Sequence, residues 1–306
     1  MRKTLRFQVL ILPSGSWESL LARFRHVEDL GFDLAVAGDH FVDWTNPSRP
    51  WFELWTMLAA VAQATNRVRI APCVAQIPLR LPAMCARLTL SMDHISNGRF
   101  ELGLGLGLPI DPSYEMMGIA NWSNKERAAR FKEYVEIVDE MLSNEVTTYK
   151  GEFYEVNEAC MNPRPVQTPR PPITIAALGP LMLKYTAAYA DTWNTMSFAE
   201  TFEEQLEETE LRVARIREAC AQAGRAPEEL RHSFNLFDPK ARSSGGRFSY
   251  YESPEAFADM ARPLLDLGFT ELGLYYPVIE EQVPVFEIIA REVIPELRAQ
   301  AGVSGI

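Results

Sequence analysis

At 306 residues, 47% of them hydrophobic, the chain is long enough for one large core or two smaller ones. Its formal net charge of −11 excludes nucleic acid and anionic membrane as expected partners, because both select basic surfaces, and leaves a small molecule as the expected ligand. No linker composition interrupts the pattern, so a single domain over 1–306 is expected.

Met1-Arg2-Lys3-Thr4 followed by the apolar run Leu5 to Leu12 has the basic start of a secretion signal. Pro13 and Ser14 cut it short and no small-residue cleavage site follows, so the run reads as a first buried strand of a soluble, cytoplasmic protein. Trp17 to Leu30 carries apolar residues at helical spacing and stops at Gly31. Asp33 to Ala37 is a second strand, Phe52 to Thr65 a helix, Arg67 to Gln76 a third strand, and Pro82 to Ile95 a helix that opens on proline. Phe100 to Leu106 is strand four, and Ser123 precedes a long helix to Ser143 with Phe131, Val135, Val138 and Leu142 on one face.

Residues 145–172 form an irregular insertion, in which Tyr149 to Tyr154 and five prolines suit a hairpin followed by extended chain. Ile173 to Ala177, Asp191 to Met196, Leu230 to Phe237 and Thr270 to Tyr275 supply four more strands. Helices fill the gaps: Pro180 to near Tyr189, about Phe202 to Ala223, Pro254 to Leu267 and, last, Glu280 to Ala299. Eight alternating units predict an α/β protein, a closed (β/α)8 TIM barrel with an insertion between strands four and five; a doubly wound open sheet is the alternative.

Side chains just past the strands of such a barrel project into its site, which singles out Asp39 and His40 after strand two. An imidazole there suits proton exchange, or is a core-bonded or capping group; Asp39 orients it, meets a ligand, or caps the next turn. His94 falls at the opposite end of the barrel and reads as structural, as do His26 and His232. Gly103-x-Gly105-x-Gly107 departs from the dinucleotide fingerprint, since position 108 is Leu, and reads as a thin strand beside a ligand. Ala177-Leu178-Gly179-Pro180 is either a plain turn or a backbone cradle for phosphate at a helix start, with the Thr195 hydroxyl in support. Lys240, Arg242 and Arg247 sit on a glycine-containing loop after strand seven that either closes over an anion or is solvated. Trp44, Trp51, Trp55 and Trp122 near expected loops favour an apolar or ring-containing substrate. Four scattered histidines do not supply a barrel hydrolase's metal set, and Cys73, Cys85, Cys160 and Cys220 lack metal spacing and read as buried reduced thiols.

Six segments carry a resemblance: Gly31 to Phe41, Leu58 to Ile70, Pro78 to Pro82, Asp93 to Gly105, Tyr149 to Tyr154 and Ala190 to Asn194. In order and spacing the chain resembles the luciferase-like flavin and deazaflavin oxidoreductase superfamily over roughly residues 5–195; from Phe202 onward the likeness is architectural. Asp39-His40-Phe41 with Trp44 is most similar to the F420-dependent branch, the FMN branch more often showing Glu-His-His at this strand end. The resemblance implies a homodimeric enzyme that binds F420, or alternatively FMN. It would transfer a hydride between the deazaflavin and a small organic substrate. The alternatives are an FMN-dependent monooxygenase using reduced flavin and O2, and a non-catalytic flavin-binding protein.

By the same resemblance His40 and Trp44 are the catalytic residues, and Asp39, Gly107, Leu178, Gly179, Pro180 and Thr195 contact the cofactor. Cys73, Val74 and Ala75 would form a bulge behind the cofactor ring, with a non-prolyl cis peptide between Cys73 and Val74. One departure stands out. Sugar-phosphate dehydrogenases of this branch carry a glutamate soon after strand four, where this chain reads Leu108-Pro109-Ile110-Asp111, which puts glucose-6-phosphate oxidation in doubt and leaves Asp111 or Glu115 as substitutes.

Overall fold

The computed structural model describes residues 4–241 and 243–304; Met1 to Lys3 of the basic start and Arg242 of the cationic loop lie outside the described residues. The first half runs β1 (Arg6–Leu10), α1 (Trp17–Asp29), β2 (Leu34–Ala37), α2 (Leu54–Ala64), β3 (Arg69–Pro72), β4 (Ala75–Gln76), α3 (Pro82–Ile95) and β5 (Leu102–Gly105). A short α4 (Ser113–Met116) and the long α5 (Asn124–Ser143) lead into a hairpin, β6 (Val146–Lys150) and β7 (Glu155–Cys160). The second half runs β8 (Ile173–Ala176), α6 (Pro180–Tyr189), β9 (Thr192–Thr195), α7 (Phe202–Gln222), β10 (Arg231–Asn235), α8 (Pro254–Asp266), β11 (Glu271–Tyr275), α9 (Val283–Ile288) and α10 (Ile294–Ser304).

All barrel strands are parallel, in the order β3-β2-β1-β11-β10-β9-β8-β5-β4. Strands β3 and β4 are two halves of one stave, and a bridge from Ile70 to Phe100 joins it to the chain entering β5, so eight staves close a (β/α)8 barrel. The expected third strand is therefore real but interrupted. Its break lies at Cys73–Val74, whose peptide is cis, where the resemblance placed it. The facing strand is shaped to match: a Cβ on Gly103 would run into the Pro72 carbonyl, and one on Gly105 into the Val74 side chain.

Helix ends follow the local sequence. Ser16, Ser123, Thr201 and Ser253 cap α1, α5, α7 and α8 through their hydroxyls, Thr201 in a capping box with Glu204. The expected single last helix is instead split by a π stretch, Ile289–Val293. Pro295 explains the change, because a proline ring collides with the carbonyl four residues back in a regular helix and a widened turn relieves it.

The insertion is a hairpin held from outside. Glu133 on α5 accepts from the backbone N–H groups of Glu152 (2.7 Å), Phe153 (2.9 Å) and Tyr154 (3.1 Å), and Gly151 leaves room for that carboxylate. The proline-rich return is pinned by fully buried Asp93, which accepts from Val166 N at 2.6 Å, Gln167 N at 3.1 Å and Gln167 Nε2 at 2.8 Å. Cys85 and Cys220 are buried and Cys73 is half-buried, but Cys160, at the end of an outer hairpin strand, is exposed, which corrects the expectation for that residue.

The N-terminal end of the barrel is plugged by charge. Arg6, Arg69, Glu101 and Glu271 all sit at or just before strand starts and point inward. Arg6 Nη1 donates to Glu101 at 2.7 Å and its Nε to Glu271 at 2.7 Å, while Arg69 Nε donates to Glu101 at 2.5 Å. Two cations thus neutralise two buried carboxylates at the end remote from the loops that build the site.

Candidate active site

The opposite, C-terminal end opens into a cavity of about 860 Å³, within the usual range for ligand sites. Its floor is a polar network inside the barrel: Gln8 Nε2 donates to Asn235 Oδ1 at 2.6 Å, Asn194 Nδ2 to Ser233 Oγ at 2.9 Å, and Asn235 Nδ2 to Cys73 Sγ at 3.4 Å. Desolvation inside the barrel pushes the Cys73 thiol up to about 11 despite that hydrogen bond, so the group is a neutral wall and not a nucleophile.

His40 stands on the loop after β2 and lines the cavity. Its Nδ1 lies 2.6 Å from Asp111 Oδ2, contributed by the loop after β5. Asp111 is buried, which raises its pKa, but hydrogen bonds from His40, Gln76 and Ser113 outweigh that and bring it down to about 2. An ionised carboxylate only accepts, so His40 Nδ1 carries a proton and Nε2 is the ring nitrogen left for another partner. Trp51 Nε1 donates to the His40 carbonyl at 3.0 Å and presents its edge to the imidazole at 6.2 Å, fixing the ring from a second side.

Gln76, the last residue of β4, ties these loops together. Its Nε2 donates to the Asp39 carbonyl at 2.5 Å and to Asp111 Oδ2 at 3.0 Å, and its Oε1 accepts from the Tyr114 hydroxyl. The Tyr114 ring in turn lies 4.7 Å from the guanidinium of fully buried Arg127, which donates to the carbonyls of Leu106 and Trp122, each at 2.9 Å, and to Asn121 Oδ1 at 2.5 Å. Arg127 thereby folds the loop that delivers Asp111. Gly107 completes the fit, because it has φ +76° and any Cβ would overlap Tyr114 Oη and Gln76 Oε1. Gly107→Ala is expected to cost about 2–4 kcal/mol, from left-handed backbone plus overpacking, read as a lower urea midpoint. An unchanged midpoint would mean that this loop relaxes freely.

Among the candidate residues, His40, Trp44, Cys73, Val74, Gly107, Leu178, Gly179 and Thr195 line the cavity together. Asp39, Ala75 and Pro180 do not. The Asp39 carboxylate accepts from Arg80 and from the Gln76 N–H at 3.1 Å, which places it within the cavity wall. Ala75 is buried within β4, and Pro180 starts α6 with Gly179 as its N-cap. Of the two carboxylates considered as substitutes for the absent glutamate, Asp111 is buried behind His40 and bonded to it and Glu115 is exposed; neither lines the cavity. Trp51 also lines the cavity; Trp55 is buried core and Trp122 stacks on Arg130. His26 bonds Tyr276 on the outer layer, His94 bonds the Arg164 carbonyl, and His232 packs edge-on against Trp193. Lys240 and Arg247 of the cationic loop are exposed, and the loop is ordered by Asp238 and by turns.

Gln76, Tyr114 and Arg127 were missed by sequence reasoning. Polar Gln76 at the end of an otherwise apolar strand was the one signal present for them.

A glucose-6-phosphate dehydrogenase dependent on F420, from Amycolatopsis mediterranei, is 34% identical over 168 residues, covering 54% of this chain and about half (49%) of that relative. Its counterpart from Segniliparus rotundus is 26% identical across 94% of this chain and 95% of its own. The fold is shared with an F420-dependent secondary alcohol dehydrogenase solved with an F420-acetone adduct, at a TM-score of 0.78 and 18% identity over 94% of this chain and 99% of that one. The family model for luciferase-like monooxygenases matches residues 4–238, and the chain belongs to that family.

Proposed function

We propose that this protein is an F420-dependent oxidoreductase that exchanges a hydride between the deazaflavin and a small organic substrate, as a cytoplasmic, single-domain homodimer. The observation that carries this reading is the His40–Asp111 pair, which sets an imidazole lone pair at the C-terminal mouth of the barrel. Among the described residues no helix is long and apolar enough to cross a membrane. The relatives named for F420 cover most of the chain and support this cofactor.

The residues present fit a flat heterocycle with a phosphate-bearing tail. Thr195 Oγ1 is buried in the cavity wall with no hydrogen-bond partner among the described residues, and Gly179 leaves open space before the α6 N-terminus. Cys73 and Val74 would back the ring, and Trp44 would flank it. When bound, the deazaflavin supplies a two-electron acceptor for hydride. The protein's part is proton management: as a substrate carbon loses hydride, its hydroxyl proton passes to His40 Nε2 and a carbonyl remains; in reverse, His40 returns that proton. Asp111 holds the imidazole in the required tautomer and offsets its positive charge.

The test is a side-by-side titration of the apoprotein with F420 and FMN, followed by tryptophan quenching. Preferential F420 binding is expected. Preferential FMN binding with substrate-dependent oxygen consumption would replace this reading with the monooxygenase that the family description suggests.

A further inference from the structure

Among the described residues, the lining of the cavity has almost no free charge to offer a second ligand. Among the described residues that line it, Arg49 is the sole lysine or arginine, and Asp43 Oδ2 already accepts from its Nη1 at 2.9 Å. Asp43 is itself saturated, accepting from Thr45 N at 2.9 Å, Thr45 Oγ1 at 2.7 Å and Asn46 N at 3.3 Å. The other acidic side chain of the lining, Asp238, spends both oxygens on backbone, accepting from Lys240 N at 2.9 Å and Ser249 N at 2.6 Å. Among the described lining residues two carboxylates face one guanidinium that is already paired, so a phosphate dianion would find no spare cation there.

The wall built by the loops after β9, β10 and β11 is aromatic and apolar. Phe198 meets Phe237 edge-on at 5.2 Å, and Phe248 stacks on Tyr275 at 5.2 Å. At the rim Phe198 is 50% exposed and Val278 48% exposed, apolar surface that gains by being covered. We infer that the substrate is an uncharged molecule with a ring-sized apolar body and one oxygen function, and that phosphorylated sugars are refused. The reaction performed on it rests on the oxidoreductase reading above; the selectivity rests on the lining alone. With the cofactor's phosphate at the Gly179 turn and the α6 N-terminus, the second ligand meets no spare cation among the described lining residues.

The experiment uses the full-length apoprotein and the uncharged naphthalene ketone prodan as fluorescent probe, with cyclohexanone and glucose 6-phosphate as competitors. Prodan is expected to brighten on binding, to be displaced by cyclohexanone and to be untouched by glucose 6-phosphate. Phe198→Asp is expected to weaken prodan binding by about tenfold or more, since it removes a contact ring and adds a carboxylate at the mouth. Val278→Asp repeats the test at a second rim position should the first variant misfold by circular dichroism. Displacement by glucose 6-phosphate, failure of cyclohexanone to compete, or binding unchanged in folded rim variants would each overturn the inference. F420 titrated in parallel separates the two proposals. No F420 binding removes the cofactor reading and leaves the probe result standing, whereas F420 binding with reduction driven by glucose 6-phosphate sustains the cofactor and sinks the apolar substrate.

Discussion

Replacing His40 with alanine is expected to slow hydride exchange by about 10²–10⁴-fold, the scale of a positioned acid or base, with cofactor affinity nearly unchanged. The separation follows from position: the imidazole lines the cavity while its Nδ1 is bonded to Asp111 and its backbone carbonyl to Trp51. Single-turnover kinetics on the variant, beside tryptophan quenching by F420, provide the check; full turnover would remove His40 from the reaction. Asp111→Asn should follow the same direction by a different route. An asparagine amide turned toward Nδ1 favours the opposite tautomer and takes the lone pair out of the cavity, so kcat falls while KM is retained and the pH profile changes shape. Asp111→Glu should restore part of the rate. Equal losses in every parameter, with no change in the pH profile, would mark Asp111 as mere scaffolding. Because its folded pKa of about 2 lies below the ordinary value of about 3.9, its stabilising contribution is complete above the ordinary value and is lost as the pH falls through about 2.

The largest expected effect on stability lies at the other end of the barrel. Glu101→Ala leaves Arg6 and Arg69 facing each other across a desolvated gap, and breaking such a buried pair costs about 3–5 kcal/mol. A shift of the urea midpoint without a change in slope would measure it. Burial pushes the Glu101 carboxyl up, but Arg6 and Arg69 more than reverse this, holding it below its usual value. With the folded value depressed, the network stabilises fully above about pH 4.3 and is lost as the pH falls through the depressed value. Wild-type stability independent of acid in that window would show that the plug contributes little.

The barrel was legible in the sequence because each unit announces itself locally. Gly31 stops α1, Pro82 starts α3 and Ser123 caps α5, and β2 and β5 between these signals are short runs of apolar residues and glycine. The breaks were harder. The split of the third stave came through family likeness, and the π stretch near Pro295 went unseen because a continuous apolar pattern hides a change of helical pitch. His40 was found by its place after a strand, but its partner was not fixed, since Asp111 is 71 residues away and reaches it through a loop whose course depends on buried Arg127. Asp39 looked equally functional and its carboxylate pairs with Arg80 in the wall; nothing local distinguishes a carboxylate aimed at a ligand from one aimed at Arg80. Separations of this size are set by barrel closure, which no local window contains.

The close fit of Gly103 and Gly105 against Pro72 and Val74 divides the site into two layers with different freedom to change. One wall is written in main-chain shape, where the important property of a position is to have no side chain, and its history of substitution should be nearly silent. The facing rim of Phe198, Phe237 and Val278 is written in side chains on loops, where size and polarity can drift without disturbing the barrel. A library aimed at new substrates should therefore hold the glycines fixed and randomise the rim, because the same scaffold can then present a different surface to each new molecule.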